Sequence, residues 1–278
     1  FLLIRPPPRS TRCTHRRQRQ MCIRDRQQAV ARITFNKPER MNAMSLDMWQ
    51  GLTETLDELR EDDRIRVVVL CGAGDKAFVS GADISEFESQ RSSEDTVRNY
   101  NRIASAADQA LYDFPKPTIA EIKGYCIGGG MGLAIGCDIR ICADDARLGI
   151  TAGKLGLGYG YDGVRKLVSL AGPEVASQIL YSARLFPADA AQRMGLVSEV
   201  VPRKDLASTV TDLASRIASN APKTVRAAKA AIRAVLMPEG PVDRAMVDRL
   251  VADCFASEDY AEGYRAFDEK RKPQFRDR

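Results

Sequence analysis

Residues 66–71 read Arg-Val-Val-Val-Leu-Cys, a run with no polar position left to face water after the arginine. A strand of this composition needs cover on both faces, which is the condition of a parallel sheet with other elements packed above and below it. The surrounding pattern agrees. Ala29–Phe35 alternates like a strand, and Ser45 stands as a cap before a helix from 46 to about 60 with Leu52, Leu56 and Leu59 on one face. A helix near 94–113 stops before Pro115 and Pro117. Thr118–Ile122 reads as the next strand, residues 130–136 as a helix and Asp138–Ala143 as another strand. Helices follow at 162–170, 173–181 and 187–194, then a short strand in Val197–Pro202. From Asp205 onward the chain reads as helices. Strand–helix alternation followed by helices predicts an α/β core over 27–203 and a C-terminal helical region over 204–278.

The formal charge of +5 misleads unless its origin is traced. Residues 1–26 carry eight arginines against one acid, Asp25, and without them the chain stands at −2. The basic footprint of a nucleic-acid binder therefore disappears with that segment. The segment has no amphipathic period and contains a Pro-Pro-Pro run. It looks like translated sequencing adapter, and is expected to be non-native or disordered, so that a chain beginning at Gln27 would be as stable. The only histidine, His15, belongs to it. Beyond residue 26 there is no histidine and no Cys-x-x-Cys pair, so the ligand set of a zinc site is absent. Cys71, Cys126, Cys137, Cys142 and Cys254 read as buried free thiols of a reducing cytoplasm. No apolar run is long enough to span a membrane.

Two glycine patterns bear on chemistry. Gly158-Tyr-Gly160-Tyr-Asp-Gly163 matches a dinucleotide fingerprint in letters only, since no strand precedes it and no acid follows at the required distance. Gly128-Gly129-Gly130 sits between a strand and a helix start, where exposed N–H groups favour negative charge. Ser80-Gly81-Ala82-Asp83 follows another strand in the same way. Two such loops can form an oxyanion hole, or can reflect tight helix–strand packing.

The segments KAFVSGADI (76–84), PKPTIAEIKGYCIGGGMGLAIGCDIRICADDARLG (115–149) and SEDYAEGYRAFDEKRKPQF (257–275) resemble the enoyl-CoA hydratase/isomerase (crotonase) superfamily. So does TFNKPERMNAM (34–44), and together the likeness spans residues 29–275 in order. The resemblance implies a ββα superhelix with a C-terminal helical oligomerisation region, a homotrimer or hexamer, an acyl-CoA substrate in fatty acid metabolism, and no cofactor beyond the CoA of the substrate itself. Ala82 and Gly129 match the family's oxyanion-hole donors. Ala82, Asp83, Ile84 and Ser85 match the loop that binds CoA and substrate, and Phe267 and Lys270 match residues that touch the CoA of a neighbouring subunit. The family's two catalytic glutamates, however, fall on Gly132 and Ala152. Tyr159 and Asp162 lie in a loop where other members place a working Tyr or Asp, and Glu121 is a further carboxylate in a strand where apolar residues are usual. Each also has a structural reading: Tyr159 as packing, Asp162 as a helix N-cap, Glu121 as a partner of Lys123 or Arg140. Three functions stay open: a hydratase/isomerase-like enzyme, a malonyl-type acyl-CoA decarboxylase, and a catalytically silent CoA-ester binder.

Overall fold

The structure is a computed structural model and describes residues 25–27, 29–83, 94–220, 222–236, 252, 256–271 and 273. Two sheets run through it. The larger contains β1 (Asp25–Gln27), β2 (Val30–Phe35), β3 (Val67–Gly72), β5 (Thr118–Ile122), β7 (Ile139–Ala143) and β10 (Glu199–Val201), in the order β1-β2-β3-β5-β7-β10. All of its pairings are parallel except β1 with β2. The smaller sheet orders β4 (Ala77–Val79), β6 (Tyr125–Ile127), β8 (Arg147–Gly149) and β9 (Phe186–Pro187) side by side. The first three of these are parallel and β9 closes the edge antiparallel.

The chain builds these sheets by repeating one step. A long strand enters the large sheet, a short strand enters the small one, and a helix returns. The repeats are β3-β4-α2 (Glu94–Tyr112), β5-β6-α3 (Gly129–Gly136) and β7-β8-α4 (Tyr161–Ser182). This is the ββα superhelix expected from the resemblance. It places the C-terminal ends of β4, β6 and β8 next to one another, which is where the two glycine loops begin.

Local rules explain the elements. Helix α1 (Leu46–Glu61) begins where the Ser45 hydroxyl accepts the Met48 N–H, and buries Leu52, Leu56 and Leu59 completely. Every residue of β3 is buried, as its composition demands. Val68 and Leu70 face the main core with α1, while Val67 and Val69 face the other way. That second face is covered by α6 (Leu206–Ser219) through Leu206, Val210, Ala214 and Ala218. The helices expected at 162–170 and 173–181 are two halves of α4, joined at Gly172 (φ 82°), with Pro173 opening the second half because it has no N–H to give the preceding turn. The short α5 (Ala188–Arg193) leads to β10.

After α6 come α7 (Pro222–Val235) and α8 (Glu258–Asp268). Helix α8 seats on the turn at 152–156, where Gly263 lies so close to the Leu155 carbonyl that a Cβ would meet it at 2.5 Å. Asp25 and Arg26, set aside by the sequence reading, pair with Arg32 and Ala31 of β2. The rest of the arginine-rich segment lies outside the described residues. Cys71, Cys126, Cys137 and Cys142 are buried free thiols, and burial pushes those of Cys137 and Cys142 up to about 12. Among the described residues no helix is long and apolar enough to cross a membrane.

Candidate active site

The two glycine loops meet because β4 and β6 are neighbours. Loop 80–83 leaves β4 and is clamped by the segment before α1: the Met44 N–H donates to the Gly81 carbonyl (2.8 Å) and the Asp83 N–H to the Met44 carbonyl (2.9 Å). The clamp is itself held from behind. Trp49 Nε1 donates to the Tyr100 hydroxyl (3.1 Å), which donates to the Met44 carbonyl (3.3 Å). Asn42, fully buried, donates to the carbonyls of Ala73 and Ala77, both at 2.9 Å, and accepts the Lys37 N–H. Its left-handed backbone (φ 57°) and a side chain that replaces backbone partners are what fold residues 36–44.

Loop 128–130 leaves β6. The Gly128 N–H donates to the Gly149 carbonyl at the end of β8 (2.9 Å), tying the third strand to the same place. Gly130 lies against β4 so closely that a Cβ would meet the Val79 carbonyl at 2.2 Å, so α3 can start here only with glycine at that position. A Cβ on Gly129 would stand 4.0 Å from the Gly81 carbonyl carbon, so the two loops abut. Among the described residues no backbone carbonyl accepts from the N–H of Ala82 or Gly129. The Gly129 N–H opens α3, where the helix dipole and the unsatisfied first-turn donors favour negative charge. At the other end of α3, Arg140 donates to the Ala134 and Cys137 carbonyls and Arg233 to the Gly136 carbonyl, which fixes the helix axis.

Of the two positions where the resemblance puts a glutamate, Gly132 lies on α3 one turn beyond Gly129. A Cβ on Gly132 would find the Tyr159 hydroxyl at 3.4 Å and Asp108 Oδ1 at 3.8 Å. Tyr159 reaches this point because its ring lies on Gly163, where a Cβ would be 2.6 Å from ring carbon Cε1. Burial pushes its phenol well above the usual tyrosine range, and Asp108 adds to the rise. Ala152 opens the turn beneath α8.

The remaining sequence candidates separate. Asp83 is buried and bonded to Lys37 Nζ (2.6 Å), so its carboxylate shapes the loop. Ile84 and Ser85 lie outside the described residues. Asp162 does not cap α4: the N-cap is Gly160, and Asp162 falls in the first turn. Phe267 is exposed near the end of α8, and Lys270 follows it in a left-handed conformation (φ 52°). Glu121 is removed from the site. The period of two along β5 turns it to the face covered by α6, where it pairs with Arg32 (2.5 Å), which also reaches Thr211. Arg140, the partner suggested by sequence, spends its guanidinium on the carbonyls of Leu196 and the α3 terminus. Sequence reading missed Asp108, Asn42, Trp49 and Tyr100.

A family model for enoyl-CoA hydratase/isomerase matches residues 25–278. The short-chain-enoyl-CoA hydratase of Clostridium acetobutylicum is 35% identical over 250 residues, covering 90% of this chain and 95% of that protein. The crotonyl-CoA hydratase of Syntrophomonas wolfei is 35% identical over 257 residues, 91% of this chain and 96% of that protein. A crystal structure of an enoyl-CoA hydratase/carnithine racemase from Magnetospirillum magneticum aligns with a TM-score of 0.76 at 37% identity, covering 94% of this chain and 98% of that one. A methylmalonyl-CoA decarboxylase in complex with 2-nitronate-propionyl-CoA aligns with a TM-score of 0.84 at 27% identity, covering 93% and 99%. The chain belongs to the enoyl-CoA hydratase/isomerase family and is an enoyl-CoA hydratase-like enzyme with the crotonase fold.

Proposed function

We propose that the protein binds an acyl-CoA thioester with its carbonyl oxygen between the N–H groups of Ala82 and Gly129, and stabilises the enolate that forms when the α-carbon gains negative charge. The observation that carries this reading is the pair of N–H groups without a backbone acceptor among the described residues, on two abutting loops. Donors fixed by the fold are aimed before the charge develops, so they lower the barrier without reorganising. The loop from Ala82 through Asp83, Ile84 and Ser85 holds the CoA, with Phe267 and Lys270 contributing from a neighbouring copy. The protein acts in the cytoplasm as a trimer or a pair of trimers. Light scattering at micromolar concentration is expected to give a trimeric or hexameric mass, and a monomer would overturn the shared-site part of the reading.

The ordinary two-glutamate hydration does not carry over. Adding water across a double bond needs one group for the water proton and another for the α-proton, and glycine and alanine supply neither. A second reading is decarboxylation of a malonyl-type CoA ester. Breaking the bond to the carboxylate releases CO2 and leaves the electron pair on the α-carbon as the enolate, so the two N–H donors suffice for that step. It is favoured by the higher TM-score to the methylmalonyl-CoA decarboxylase, despite lower identity, and by the Tyr159 hydroxyl beside Gly132.

The purified protein, assayed with crotonyl-CoA, a 3-hydroxyacyl-CoA and methylmalonyl-CoA, decides between them. Turnover of a thioester is expected. Loss of CO2 from methylmalonyl-CoA alone selects the decarboxylase, and binding of all three without turnover would leave a silent CoA-ester binder.

A further inference from the structure

Asp108 lies on α2, in a helix whose neighbouring positions Ala107 and Leu111 are fully buried. Its two carboxylate oxygens differ. Oδ2 is bonded at 2.5 Å to Nζ of Lys166, a buried lysine of α4 that also lies over the Tyr112 ring, 4.6 Å from its centroid. Oδ1 is enclosed and has no hydrogen-bond partner among the described residues. A buried, unpartnered carboxylate oxygen is costly, and native proteins keep few of them without use. This one lies against α3 between two glycines, 3.8 Å from where a Cβ on Gly132 would stand and 3.6 Å from where one on Gly136 would, with the Tyr159 hydroxyl 3.4 Å from the Gly132 point. The space that a glutamate from α3 would enter is therefore bordered by a carboxylate that arrives from α2. It lies one turn of α3 beyond Gly129.

We propose that Asp108 is the proton-transfer carboxylate of this site, taking the place of the glutamate that is absent at Gly132. The step rests on the enolate reading above. The α-carbon–hydrogen bond breaks, the proton goes to Oδ1 of Asp108, and the electron pair passes to the thioester carbonyl oxygen held by Ala82 and Gly129. The reverse step returns the proton to carbon. Lys166 is a positioning residue: it fixes Oδ2 so that Oδ1 faces α3 between Gly132 and Gly136. Burial raises the Asp108 carboxyl above the usual carboxylate range, Lys166 opposes the rise and Asp162 adds to it, a balance suited to a group that both takes and returns a proton.

The competing explanation is an ion pair that merely joins α2 to α4. Exchange of the α-protons of butyryl-CoA for deuterium in heavy water, followed by mass spectrometry, separates the two because it reads proton transfer and needs no other chemistry. Asp108→Asn is expected to slow exchange by about 10²–10⁴-fold. Because that change leaves Lys166 buried and unpaired, Asp108→Asn with Lys166→Met is the folded control, with the same loss expected at an unchanged melting midpoint. Adding Gly132→Glu to that double variant returns a carboxylate to the same space and is expected to recover at least tenfold. Exchange within threefold of the parent in the folded double variant overturns the role of Asp108, as does a parent that binds butyryl-CoA without exchanging it. The enolate reading is scored separately by replacing Gly129 with proline and with alanine. If only the Asp108 variants lose exchange, the oxyanion reading falls and Asp108 stands; if only the proline variant does, Asp108 falls.

Discussion

Gly129→Pro is expected to lower turnover of any thioester substrate by about 10²–10³-fold relative to Gly129→Ala. The pair is informative because both substitutions add a Cβ, 3.3 Å from the Trp49 ring, while only proline removes the N–H. Gly129 is the first residue of α3, where proline is well tolerated because that N–H has no helical acceptor and the ring already holds a helical φ. The proline variant should therefore melt close to the alanine variant. Steady-state kinetics should show the loss mainly in kcat, because the thioester oxygen carries its full negative charge only as the enolate forms. Equal activity of the two folded variants would remove the Gly129 amide from the mechanism.

Asp138→Ala is expected to destabilise the fold by about 3–5 kcal/mol, measured by denaturant unfolding at fixed protein concentration. Asp138 stands at the start of β7 and binds four groups. Its Oδ2 accepts the Thr118 N–H (2.8 Å), the Thr118 hydroxyl (3.0 Å) and Lys229 Nζ (2.8 Å), and its Oδ1 accepts Arg233 Nη2 (2.9 Å). Lys229 is 9% exposed and Arg233 19%, so removing the carboxylate leaves two cations of α7 largely out of water without their counter-charge. Burial already lowers the Lys229 ammonium from its ordinary range, with Asp138 opposing that fall. Arg233 also stacks 3.7 Å from the Tyr112 ring centroid and donates to the Gly136 carbonyl. Loosening α7 therefore loosens the end of α3 opposite Gly129, and activity should fall together with stability. A loss below about 1 kcal/mol would show that water reaches and solvates the two cations once the carboxylate is gone.

Much of this protein is determined locally and was legible in the sequence. A β-branched run specifies a strand buried on both faces, Ser45 specifies the start of α1, and a glycine triplet after a strand marks a close approach with free N–H groups. The loop positions of Ala82 and Gly129, from whose N–H groups no backbone carbonyl among the described residues accepts, belong to this class, because backbone amides depend on chain geometry and survive changes of side chain. The family likeness, carried by the same segments, gave the ββα superhelix. What the sequence did not disclose depends on contacts between residues far apart. Glu121 looked available until the sheet turned its side chain to the face that α6 covers, where it reaches across β3 to Arg32, 89 positions away. Asp162 could be read as the cap of a helix from 163, but the helix begins two residues earlier, at Tyr161, with Gly160 as its cap. Asp108 drew no notice in the sequence, because a sequence records that a carboxylate is present and not whether its oxygens face water. Only the packing of α2 against α3 and α4 brings it beside Gly132, with Lys166 on one oxygen and no hydrogen-bond partner among the described residues on the other. The resemblance puts glutamates where this chain has Gly132 and Ala152, and only the tertiary structure brings Asp108 Oδ1 to 3.8 Å from where a Cβ on Gly132 would stand.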